Sequence, residues 1–275
     1  MARRIEVTGW ARATMTVADL HVHTTQSDGT MTIEEIPAAA RAAGVDAVAI
    51  TDHDRLHPDL PAPVTVRDGI EVVHGIELRV EAGDQRLDLL GYGARRTEAL
   101  VDECERIQRD RVERGAAIVD RVETRLGVSL PVEPRPGLGR PHIARAIAEV
   151  SDYSVQGAFD ELIGDDCPCY VARDVPTFER GRALLAEACN LVGLAHPLRY
   201  DDPSAALAHC ATLDAVERPY PYEGSVDLAP VEAAIDRYDL LATGGSDAHG
   251  DRLGLAGLDS DEWARVRSRL DLSGE

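Results

Sequence analysis

A chain of 275 residues, 44% of them hydrophobic, is long enough to bury a core of one barrel-like domain with an insertion, or of two small domains. Its 49 acidic residues against 29 basic ones leave a net charge of −20, and every lysine-or-arginine position is arginine; this excludes a nonspecific nucleic-acid binder working through a basic face. No apolar run is long enough to cross a bilayer, and Arg3, Arg4, Glu6 and Arg12 interrupt any signal-peptide core, so a cytoplasmic protein is expected.

Short runs rich in Val, Ile and Leu alternate with helical stretches, the pattern of parallel strands joined by crossover helices. Strands are expected over residues 17–23, 45–51, 70–78, 87–92, 191–196, 213–217 and 240–246. The helix between the first two, over 33–43, has Thr32 as its cap, Glu35 as a capping-box partner and Gly44 as its stop. Residues 97–188 break the alternation: a long arginine- and glutamate-rich helix over 98–126 leads through a Pro- and Gly-rich stretch, 131–139, to a second helix opening near Pro141. The reading is a barrel from 17–96 and 189–259, with 97–188 as a mainly helical insertion that covers the mouth as a lid. The cysteines, Cys104, Cys167, Cys169, Cys189 and Cys210, lack paired CxxC spacing and read as reduced, structural thiols. The heavy negative charge favours solubility and suits a salt-rich cytoplasm, so a halophilic source is expected.

Every expected strand in the barrel portion that follows this pattern carries a side chain able to bind metal. In DLHVHTTQSDG, His21 and His23 alternate along a strand and point to one side. AITDHD supplies His53 between Asp52 and Asp54, HGIELRVE supplies Glu77, RLDLLGYG supplies Asp88, LAHP supplies His196, and GGSDAHG supplies Asp247 and His249. Each alone has an ordinary alternative as a hydrogen-bonded surface or core residue. Together they would cost several kcal/mol per unpaired buried ion unless cations neutralise them, and ligands of α/β barrels gather at the carboxyl ends of the strands. His57, His74 and His209 read as structural; His74, three residues before Glu77, should face away from it.

In this order, DLHVHTTQSDGT, TDHD, GIEL, RPHIAR, LAHP and GSDAHG resemble the PHP (polymerase and histidinol phosphatase) superfamily, and within it the small metal-dependent phosphoesterases that include nucleotide phosphatases. The resemblance implies a distorted seven-stranded βα barrel holding two or three divalent ions, Mn, Zn or Fe, with Mg as a further option. It implies one ion on His21, His23, Glu77 and Asp247, a second bridged by Glu77 and bound by His196, and a third on Asp28, His53 and His249. Where this branch often carries a histidine, the sequence has Asp88, a harder ligand that suits Mn or Mg. Arg140 and His142 resemble the insertion residues that contact substrate phosphate. Arg173 and Arg199 are weaker phosphate candidates, and Asp52 and Asp54 are expected to orient His53 or its neighbours.

The implied activity is hydrolysis of a phosphate ester by metal-activated water, on a small phosphorylated molecule such as a nucleotide. The alternatives are an exonuclease on short oligonucleotides, a histidinol phosphatase, and a noncatalytic metal-stabilised binding module. Long nucleic acid is disfavoured by the acidity and by a stock of two Phe and two Trp for stacking.

Overall fold

The computed structural model describes residues 15–270; the reading of Arg3 to Arg12 lies outside them. In chain order the strands are β1 (Ala18–Val22), β2 (Ala47–Ile50), β3 (Val64–Arg67), β4 (Ile70–Ala82), β5 (Gln85–Tyr92), β6 (Leu191–Leu194), β7 (Ala215–Glu217) and β8 (Leu241–Thr243). The helices are α1 (Ile36–Ala43), α2 (Glu98–Leu126), α3 (Arg140–Val150), α4 (Val155–Ala158), α5 (Phe178–Ala188), α6 (Pro203–Ala208), α7 (Ala229–Tyr238) and α8 (Ser260–Arg267). Seven strands follow the path β1-β2-β4-β5-β6-β7-β8, with β3 off it beside β4. The ends of this path meet. Leu20 N–H donates to Gly244 O at 3.0 Å, and His23 N–H to Ala248 O at 2.9 Å, closing the distorted barrel through the segment after β8. Only glycine permits that approach, because a Cβ on Gly245 would lie 2.4 Å from the backbone nitrogen of His21.

The sheet is mixed rather than parallel throughout: β4 pairs antiparallel with both β3 and β5, and β5 antiparallel with β6. The cause is two tight hairpins. Asp68 and Gly69 both have positive φ between β3 and β4, and Gly83 at φ 67° turns β4 into β5. α1 starts three residues later than its pattern suggested, although Glu35 does reach back to the Thr32 N–H at 2.8 Å, and Gly44 at φ 73° ends it.

Three apolar clusters pack the barrel, under α1, under α8, and under the first half of α2 with α5 and α7. A fourth belongs to the helical segment itself, joining Ile118 and Val122 of α2 to Ile143 and Ile147 of α3 and to Leu162, Ile163 and Cys169. The helical segment therefore has its own core over the cleft, while Phe178, Leu184 and Leu185 of α5 pack with the barrel. All five cysteines are free thiols. Among the described residues no helix is long and apolar enough to cross a membrane.

Candidate metal centre

The strands deliver their polar side chains to one end of the barrel. His21 is in β1 and His23 just beyond it, Glu77 is in β4 and Asp88 in β5, and His53, His196, Asp247 and His249 lie just past β2, β6 and β8. At three turns there non-glycine residues adopt left-handed backbone, Asp54 at φ 53°, His196 at φ 27° and Asp247 at φ 49°. Such conformations cost roughly 1–3 kcal/mol each and persist where the surroundings impose them.

Four side chains converge first. His23 Nε2 lies 3.1 Å from Asp247 Oδ1 and 3.4 Å from Glu77 Oε2, and His21 Nε2 lies 3.5 Å from both Asp247 Oδ1 and Glu77 Oε1. Beside them His249 Nε2 lies 3.2 Å from Asp28 Oδ1, and His53 Nε2 lies 3.8 Å from Asp28 Oδ2. At a third corner His196 Nε2 lies 3.1 Å from Glu77 Oε1 and 3.7 Å from Asp88 Oδ2.

Most of these contacts are close without being hydrogen bonds. Among the buried side-chain atoms with no hydrogen-bond partner are His21 Nε2, both ring nitrogens of His23, Asp28 Oδ1, Glu77 Oε2, His196 Nδ1 and Asp247 Oδ1. Buried polar atoms are seldom left so. Ligands about 2.0–2.2 Å from a common ion stand about 3 Å apart when adjacent, which is the spacing found, so the set fits divalent cations. The donors in these groupings are imidazole and carboxylate, with no thiolate among them.

The charge balance points the same way. Burial opposes charge on His21 and His53, but neighbouring carboxylates outweigh it: Glu217, Asp247 and Glu77 push His21 well above its usual range, and Glu77 and Asp28 push His53 up to about 9. Burial likewise opposes charge on Asp28 and Asp247, yet the facing histidines hold both carboxyls far below the ordinary range. His23 goes the other way: burial and the neighbouring His53 hold its imidazole below the usual range, so it favours the neutral form that binds a cation.

Outer contacts aim the set. Glu217, fully buried at the end of β7, faces His21 Nδ1 at 3.1 Å and accepts from the His196 N–H at 2.7 Å. In the neutral ring, the form a metal requires, this contact favours the His21 tautomer with the proton on Nδ1 and Nε2 bare. Glu217 sits in no motif of the sequence; its one signal there is an acidic residue ending an apolar strand. Tyr220 donates to Asp247 Oδ2 at 2.9 Å, leaving Oδ1 facing the histidines. Asp52 accepts from Thr24 and Ser27 and so shapes the loop bearing Asp28, while Asp54 receives Arg111 and Arg173; neither acid orients His53 directly. His57, His74 and His209 stay outside these groupings; burial pushes His74 down to about 4, and His209 packs on Phe178.

A cleft of about 940 Å³ opens over the centre, lined by His53, Glu77, His196, Asp247 and His249 and by Arg79, Arg86, Arg140 and Arg199. Arg140 donates to Asp165 at 2.9 Å and lies over the Tyr170 ring. His142 Nδ1 accepts from the Gly139 N–H at 3.1 Å, so its ring proton sits on Nε2. Arg173 is committed to Asp54, and Arg199 spans Tyr220 and Asp247 at the cleft. Asp88 is brought to the third corner, but both its oxygens face the guanidinium of Arg79.

Comparison with known proteins agrees with this architecture. The chain is 30% identical over 252 residues to a phosphoribosyl 1,2-cyclic phosphate 1,2-diphosphodiesterase from Eggerthella lenta, covering 85% of this chain and 94% of that one. It is 26% identical to a 3',5'-nucleoside bisphosphate phosphatase from Chromobacterium violaceum (84% and 86% covered) and 28% identical to a 5'-3' exoribonuclease from Escherichia coli (85% and 85%). The structure of a protein assigned as a metal-dependent phosphoesterase from Bifidobacterium adolescentis superposes with a TM-score of 0.76 at 25% identity, covering 94% of this chain and 98% of that one. The PHP domain model matches residues 19–112, the stretch that carries His21, His23, Asp28, His53, Glu77 and Asp88, and with a relative 30% identical along nearly its whole length, the chain belongs to the PHP domain family.

Proposed function

We propose that this chain, a metal-dependent phosphoesterase, hydrolyses phosphate esters of small nucleotide-like molecules in the cleft over the histidine–carboxylate centre. The observation that carries the reading is His23: a fully buried imidazole with neither ring nitrogen hydrogen-bonded, among carboxylate oxygens 3.1–3.4 Å away. His21, His23, Glu77 and Asp247 would hold one divalent ion and Asp28, His53 and His249 another, with His196 and Glu77 at the third corner. Bound there, such ions lower the pKa of water and offset charge on the attacked phosphoryl group. Manganese suits this mixed nitrogen and oxygen set, with iron and zinc as alternatives.

The chain's own residues bind and orient. Arg140, half-committed to an exposed Asp165, offers its remaining donors to phosphate oxygens, and Arg199 flanks Asp247 on the same wall. His142, whose Nδ1 accepts from the Gly139 N–H, would be one donor from Nε2 to the leaving oxygen, with a metal-bound water or another group of the helical segment as the alternative. A cleft of about 940 Å³ takes a nucleotide-sized molecule or the end of a short oligonucleotide. The relatives act on a cyclic ribose phosphate, a nucleoside bisphosphate and RNA ends, all phosphorylated riboses, by their names. Five free thiols suit a reducing cytoplasm.

The test is a hydrolysis screen over mononucleotides, nucleoside bisphosphates, sugar phosphates, histidinol phosphate and short oligonucleotides with Mn, Zn or Mg, run with elemental analysis. Turnover of a small nucleotide that disappears in His21→Ala or Asp247→Ala, together with bound metal, supports the reading. Metal bound but no substrate turned over points to a binding module, and turnover confined to oligonucleotides points to the exonuclease.

A further inference from the structure

The Glu77–Asp88–His196 corner is built differently from the other two. Arg79 and Asp88 face each other directly across the antiparallel β4–β5 ladder, so the strand register itself creates their ion pair. Arg79 Nε donates to Asp88 Oδ1 at 2.6 Å and Nη2 donates to Oδ2, a two-pronged grip that occupies both carboxylate oxygens. The pair is held in place: Asp88 is 1% exposed, and its N–H donates to the Tyr200 hydroxyl at 2.8 Å, which in turn donates to Ala195 O at 3.1 Å. Asp88 is accordingly missing from the buried orphaned atoms that include atoms of His21, His23, Asp28, Glu77 and Asp247. His196 Nε2, the other donor of this corner, is engaged by Glu77 Oε1 at 3.1 Å. Arg79 also lines the cleft, and among the described residues its Nη1 has no protein partner.

We infer that Arg79 supplies the positive charge of a third ion at this corner, so that the centre takes two divalent ions and Asp88 serves as the anchor of a guanidinium rather than as a ligand. This rests on the metal reading proposed above for the other two corners. A divalent ion placed against Asp88 Oδ2 would have to break the two-pronged grip and stand beside a like charge that cannot be deprotonated. The arrangement gives Glu77 and His196 a cationic neighbour fixed by covalent chain, independent of metal supply.

The experiment is a count of bound Mn by elemental analysis and by calorimetric titration of the full-length protein stripped of metal. Wild type should take two ions per chain. Asp88→Asn should still take two, with Mn affinities within about threefold of wild type, because no ligand is lost. Arg79→Ala, which frees a buried carboxylate, should gain a third ion, and Mn should raise its melting temperature more than that of wild type. Three ions in wild type, loss of an ion in Asp88→Asn, or no gain in folded Arg79→Ala would each overturn the inference. No ion bound to wild type at all would instead overturn the metal reading on which it rests.

Discussion

Glu217→Gln isolates what a buried carboxylate behind the proposed metal ligands does. Glu217 faces the His21 Nδ1 at 3.1 Å with one oxygen and takes the His196 N–H at 2.7 Å with the other. Glutamine fills the same volume but has one acceptor. If that acceptor keeps the His196 N–H, its amide group meets His21 Nδ1 and donates to it, which drives the ring proton to Nε2. That nitrogen, orphaned among Glu77 and Asp247, then carries a proton where a lone pair is needed. The lost negative charge weakens attraction for the ion as well, so both effects have one sign. Losing such an outer partner costs roughly 10- to 100-fold in metal affinity, about 1.4–2.7 kcal/mol. A Mn titration against a competing chelator near neutral pH measures it, and the thermal melt of the metal-free protein checks that the variant folds. Affinity within twofold of wild type would refute the tautomer argument.

Three further outcomes are expected. Metal-free protein should lose stability as pH rises: His53 is held up to about 9 against 6.5 for the unfolded chain, so the contribution is fully present below about 6.5 and is gone above about 9, with an upper bound of about 3 kcal/mol. Metal-loaded protein should slope the other way over that window, because metal binding requires unprotonated ligands, and urea melts at both ends with and without chelator give the comparison; parallel slopes would count against the ligand assignment. Arg140→Ala should raise KM or lower kcat by the equivalent of about 1.5–3 kcal/mol with metal content unchanged, since its partner Asp165 is exposed and suffers little from the loss. Given a net charge of −20, the melting temperature should rise from dilute buffer to molar potassium chloride; a flat response would remove the argument for a halophilic source.

The imidazoles and carboxylates that gather at the barrel mouth were readable because most ride on a short motif at a strand end, where alternation fixes direction: His21 and His23 do share a face, with ring centroids 5.1 Å apart. The mixed sheet was also written in the sequence, as Asp68-Gly69 and Gly83-Asp84 between apolar runs, but a reading organised around alternating strands and helices passes over such hairpin signals. Glu217 and the Arg79–Asp88 pair are different in kind. A lone acid at a strand end has no local pattern, and its meaning appears when β7 is laid beside β6, with His196 just past the end of β6 and 21 residues away, and near His21, 196 away. Arg79 and Asp88 are nine residues apart, on either side of a turn, and register alone decides that they meet.

The continuity of α2 limits how the mouth can move. Its 29 residues make a rod about 43 Å long, with Leu100, Cys104 and Ile107 rooted in the barrel and Ile118 and Val122 in the helical cover. The helix runs unbroken from the barrel's core to that of the helical segment, so no loop joins the two along this connection. Were the helical segment to serve as a cover, substrates would be sorted by whether they fit the cleft of about 940 Å³ beneath it, as by a gauge of fixed bore.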